Sequence, residues 1–154
     1  MAVRPRYYCG LSRFDRLNRH VGMKRKRDRI WLIAIVVAHL AISIVHGQAH
    51  AGAQVPLSRA ANLFVFAVIL AGPLIGVVLM LLTAAVGSWV VAVTMTASLV
   101  FGVVNHFMLV SPDHVSHVDP AWRVMFATTA VLLAVTEAAG SLFAFRVARE
   151  RTGP

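Results

Sequence analysis

The sequence predicts an all-α polytopic integral membrane protein: a four-helix transmembrane bundle with both ends in the cytoplasm (N-in/C-in). Three observations lead there. Of 154 residues, 58% are hydrophobic and 14% charged, where a soluble domain is nearer half apolar and about a quarter charged. The apolar residues gather in four long blocks, and nearly all the charge lies outside them. Ten of the fifteen Lys and Arg residues fall between Arg4 and Arg29 and three more between Arg146 and Arg151, leaving only Arg59 and Arg123 in the middle.

Each block is close to the roughly 20 residues that cross a hydrocarbon core of about 30 Å. The blocks cover residues 30–49, 60–82, 87–110 and 121–145. Backbone groups in lipid must be satisfied within the segment, so the blocks are helices rather than open strands. Gly52 and Pro56 turn the chain after the first block, and Ser58 is placed to cap the second. Pro73 should kink the second helix near its middle. The very short link at 83–86 makes the second and third helices antiparallel neighbours. Pro120 suits the first turn of the fourth. Gly72 and Gly76 form a G-x-x-x-G pair that lets helices approach closely, as do Gly102 and Gly140.

An even number of crossings puts both ends on one side, and the positive-inside rule makes that side cytoplasmic. The domain plan is therefore a basic cytoplasmic segment at 1–29, a transmembrane domain at 30–146 and a cytoplasmic tail at 147–154. The basic segment lacks an apolar helical stripe and is expected to be irregular or to lie along anionic headgroups. Met23 opens the run Met-Lys-Arg-Lys-Arg-Asp-Arg just before the first apolar block, which marks it as an alternative start of the chain. Ala49-His50-Ala51 has the A-x-A form of a signal-peptide cleavage site, but the apolar run before it is long for that role.

The net charge of +9 is a topology signal rather than a nucleic-acid footprint, because of where the charges sit. The expected partners are the bilayer, with anionic lipid at the basic end, and a second copy or a membrane-complex subunit; nucleic acid is not among them. The expected location is the plasma (inner) membrane. The single cysteine, Cys9, excludes a disulfide framework and a multi-cysteine zinc site. No P-loop, Gly-rich phosphate loop or nucleophile elbow is present.

Chemistry points to the histidines. Six of seven lie between His39 and His117. On the first helix, His39, His46 and His50 share one stripe, because steps of seven and four residues return to nearly the same face. His46 and His50 are one turn apart, a spacing that lets two imidazoles meet one metal ion. His106 lies near the outer end of the third helix. The next loop supplies Asp113, His114, His117 and Asp119. Depth counting gathers these groups at the outer boundary. Imidazole with carboxylate suits a divalent transition metal, and the candidate ligands are His46, His50, His106, His114, His117 and Asp113.

Two ionisable groups lie deeper. His39 is ten residues in from Arg29, and Glu137 is nine in from Arg146. Both sit about 14–15 Å from the cytoplasmic end at 1.5 Å per residue. An unpaired charge there is costly, so the two are expected to pair. Three functions stay open on the sequence. One is a non-haem metal site that activates water, oxidises a lipid-soluble substrate or passes a metal ion across the membrane. Another is a single b-type haem held by His46 and His106. The last is a subunit or scaffold without chemistry of its own.

Overall fold

A computed structural model describes the backbone of residues 8–152 and side chains from Asn18 onward. The side chain of Cys9 and the extreme ends, including the residues around Met1, lie outside the described residues. The chain divides into two compact units, Met1–Trp31 and Leu32–Pro154.

In the first unit the chain is helical from Tyr8, as the beginning of α1 (Tyr8–Gly52). This differs from the irregular segment expected. Arg, Lys, Leu and Met are good helix formers, and a helix that already exists downstream only has to propagate. The missing apolar stripe argues against a buried face, not against a helix.

The second unit contains the rest of α1 and three further helices: α2 (Arg59–Leu82), α3 (Ala84–Met108) and α4 (Pro120–Thr152). All four are long and apolar enough to cross a membrane. Among the described residues there is no strand. The buried side of α1 runs Leu32, Val36, His39, His46 and Ala49, a single helical face. Three of the candidate functional histidines thus belong to the face that packs or borders it.

α2 begins at the Ser58 cap, whose hydroxyl accepts the Ala61 N–H at 3.1 Å. Its middle, Val65–Ala71, is π-helical, followed by α-helix from Gly72 to Leu82. Pro73 explains the irregularity: it has no N–H for the carbonyl of Ile69, four residues earlier. A π-helical stretch before a proline relieves that break in the ladder.

The α2–α3 link is shorter than expected. Thr83 alone is extended, and α3 starts at Ala84, three residues before the boundary read from hydropathy. Ala84 and Ala85 are strong helix formers, and the Thr83 carbonyl accepts the Gly87 N–H at 3.0 Å. The two helices then cross backbone to backbone. A Cβ on Gly87 would lie 2.1 Å from the Met80 nitrogen and 2.5 Å from the Gly76 carbonyl oxygen. Gly76 of the G-x-x-x-G pair therefore serves the α2–α3 contact.

α3 ends in a second π-helical stretch, Val104–Met108, which carries His106. Pro120 is the first residue of α4, and Asp119 caps it by accepting the Ala121 N–H at 2.8 Å. α4 runs to Thr152, beyond its apolar block, and Arg149 and Arg151 in its last turn complement the helix dipole.

The end of the bundle that carries Thr83 is packed by Leu32, Val36, Met80, Val91, Ala92, Met95 and Ala144. The opposite end has a small cluster of Ala49, Val118 and Phe126. Many large apolar side chains point outward, among them Leu63, Phe66, Ile75, Leu81 and Leu142.

Candidate metal centre

His46 and His50 project from α1 one turn apart, and His106 projects from the π-helical end of α3. Each offers a ring nitrogen, and the three nitrogens lie within 4.8 Å of one another. His46 and His106 are buried and His50 is partly so. The closest approach is between His46 Nε2 and His106 Nε2, at 3.2 Å.

The Thr129 hydroxyl lies 2.8 Å from His46 Nδ1 and 2.7 Å from the Met125 carbonyl. His106 Nδ1 faces the Asp113 carbonyl at 3.2 Å and the Asp113 carboxylate Oδ1 at 3.3 Å. A carbonyl can only accept, so that nitrogen holds the hydrogen. His106 Nε2 therefore carries a lone pair, and it faces His46 Nε2. This is the arrangement of metal-ligating histidines, whose distal N–H is held by a carboxylate, carbonyl or hydroxyl.

His50 turns Nε2 toward Asp113 Oδ1 at 3.4 Å. Its Nδ1 and Asp113 Oδ1 are both buried without a hydrogen-bond partner. Asp113 thus stands beside two of the three imidazoles. Phe126, fully buried on α4, packs against all three rings with centroid distances of 4.8, 4.8 and 5.2 Å. It walls the cluster with apolar surface, which strengthens electrostatic contacts there.

The other loop histidines do not join this group. His114 Nδ1 lies 2.7 Å from the Ser116 hydroxyl, and His117 Nδ1 donates to the Ser111 carbonyl at 2.9 Å. Their rings face each other at 5.5 Å on the loop. The loop turns back through Val115 N–H to the His106 carbonyl at 3.0 Å, which brings Asp113 inward and leaves His114 and His117 outside.

The deeper pair is brought together. His39 Nδ1 lies 3.6 Å from Glu137 Oε1, both residues being buried. The Ser98 hydroxyl donates to the same oxygen. A cavity of about 490 Å³ runs from the histidine cluster to the Glu137 and Ser98 side of the deeper pair. His46, His50, His106 and Asp113 line one end and Ser98 and Glu137 the other, with mainly apolar side chains between.

Thr129, Phe126 and Ser98 were not legible as site residues in the sequence. Thr129 is one of several threonines on apolar helices, and only its position eight residues before Glu137, on the same face of α4, hints at a role. Asn62 and Thr136 stay local, bonded to the Leu57 and Leu132 carbonyls. Comparison of the chain with protein-family profiles, with curated proteins and with solved structures finds no match.

Proposed function

We propose that this protein is a multi-pass plasma-membrane protein, N-in/C-in, that binds one divalent transition metal ion near its outer face through His46, His50 and His106. Asp113 orients His106 and is available as a fourth ligand. His114 and His117 lie on the entry loop, where they can present the ion to the site.

One observation carries this reading: three imidazole nitrogens lie within 4.8 Å of one another, and His106, its Nδ1–H held by the Asp113 carbonyl, turns its Nε2 lone pair toward His46 Nε2 at 3.2 Å. A single hydrogen can bridge the two Nε2 atoms, and a cation bound there takes its place. A tetrahedral ion bound at 2.0–2.1 Å sets its nitrogen ligands roughly 3.3 Å apart. Three neutral imidazoles with a carboxylate suit zinc, iron, nickel or manganese. A haem is the poorer fit. Two trans imidazoles must stand about 4 Å apart, twice the metal–nitrogen distance, with a flat slot between them. Here the His46 and His106 rings meet edge to face at 73°, with Phe126 against both.

The membrane assignment rests on the four long apolar helices and their outward-facing Leu, Ile, Val and Phe side chains. In water such a surface would aggregate. The cytoplasmic placement of the ends rests on the charge bias. Anionic lipid at the basic end follows from the same charges.

The test is metal analysis and an absorption spectrum on detergent-purified protein, beside a His46→Ala/His106→Ala variant. Stoichiometric metal without a Soret band, lost in the variant, is the expected result. A Soret band lost in the variant would establish the haem instead. Neither metal nor haem in chelator-free protein would overturn the proposal and favour a scaffold role.

A further inference from the structure

We infer that the buried His39–Glu137 pair is a second station for the same divalent metal ion, reached from the three-histidine site through the cavity that runs to its Glu137 side. The inference rests on the metal-site reading above and extends it from a binding site to the first part of a path.

The argument starts at Pro73. Lacking an N–H, it cannot give the Ile69 carbonyl the usual α-helical bond from four residues on. His39 Nε2 lies 3.1 Å from that carbonyl. A carbonyl only accepts, so the His39 hydrogen is on Nε2 and Nδ1 carries the lone pair. That Nδ1 is buried with no hydrogen-bond partner, in a side chain with no exposed surface. It points at Glu137 Oε1, 3.6 Å away.

That gap is too long for a hydrogen bond and close to the roughly 3.3 Å edge of a tetrahedral metal site. The logic of the outer site is thus repeated: an imidazole whose other nitrogen is tied down offers a free lone pair to a cation. Glu137 supplies an anionic oxygen and Ser98 a neutral one. Imidazole, carboxylate and hydroxyl are all ligands that a divalent first-row ion accepts.

The stations are in line. Ser98 and His106 are eight residues apart on α3, and Thr129 and Glu137 eight apart on α4, about 12 Å along each axis. Midway on α3 is Gly102, where an added Cβ would meet nothing nearer than the His106 ring at 3.9 Å. The cavity continues past it to Ser98 and Glu137. One turn beyond Ser98 and Glu137 lie Met95 and Gly140, with the Met95 sulfur against Gly140, and there the apolar cluster begins. The lining runs from the three-histidine end to Ser98 and Glu137 and stops short of Met95 and Gly140, so the path is blocked on the Thr83 side, as in a carrier closed at one face.

The experiment counts Zn2+ bound to the full-length protein in detergent, by titration followed by gel filtration and metal analysis. Wild type should bind two ions. Glu137→Gln should bind one, and Gly102→Leu, which narrows the passage beside the His106 ring, should keep the outer ion and also bind one. His46→Ala/His106→Ala should lose the outer ion. A wild type that binds one ion, retained in Glu137→Gln and Gly102→Leu, would overturn this inference and leave the outer site standing. Two ions retained in both variants would overturn it as well. No ion in wild type would overturn the outer site and this one together. If Glu137→Gln elutes as aggregate, Gly102→Leu decides.

Discussion

Thr129 shows how much one hydroxyl controls. Its oxygen lies 2.8 Å from His46 Nδ1 and 2.7 Å from the Met125 carbonyl. Thr129→Val keeps the volume and removes the polar partner, so His46 is free to turn. Loss of such a supporting contact typically lowers metal affinity 10–100-fold. Zn2+ titration of Thr129→Val should show a fall of about that size with unchanged thermal stability of the metal-free protein. An unchanged affinity would mean that Thr129 does not orient His46. The shared face of His39, His46 and His50 on α1 was legible beforehand, because residues seven and four apart share a face on any helix. Thr129 was not, since its role depends on which helix stands opposite His46.

At the scale of elements, two glycines predict opposite outcomes. A Cβ on Gly87 would run into backbone, 2.1 Å from the Met80 nitrogen. Backbone cannot move without parting α2 from α3, so Gly87→Ala should destabilise the fold by roughly 2 kcal/mol or more. A Cβ on Gly140 would meet the Met95 sulfur at 2.4 Å and its methyl carbon at 2.6 Å. Those atoms end a flexible chain that can swing aside, so Gly140→Ala should cost about 1 kcal/mol or less. Thermal melts in detergent check both; equal losses would contradict the contrast. Hydropathy located all four apolar helices. It placed their ends less well, because helices continue past their apolar blocks: α4 runs on to Thr152 and α1 begins at Tyr8. Helix propensity and dipole, not burial, set those ends.

For the whole molecule, metal and topology give two further expectations. An ion that binds only the folded state stabilises it by about 2.7 kcal/mol at a hundred times its dissociation constant. Zn2+ should therefore raise the melting temperature of wild type, a chelator should reverse the rise, and His46→Ala/His106→Ala should show none. Orientation is testable because Cys9 is the sole cysteine. In a Cys9→Ser background, Ser116→Cys on the loop before α4 should react with a membrane-impermeant thiol reagent in intact cells. Thr152→Cys should react only after permeabilisation. The reverse pattern would overturn the N-in/C-in orientation.

The sequence by itself determined four apolar helices, the shared stripe of His39, His46 and His50, and an equal depth for His39 and Glu137. Each of these depends only on residue type, the helical repeat of 3.6 and the rise of 1.5 Å. Tertiary structure decided the rest. The return of the 111–120 loop through Val115 brings Asp113 to His106 and His50 and leaves His114 and His117 outside. Periodicity states which face a residue occupies along its own helix. It does not state which side chain faces it from the next, and the three-histidine cluster, the Phe126 wall and the cavity to Glu137 are all properties of facing helices.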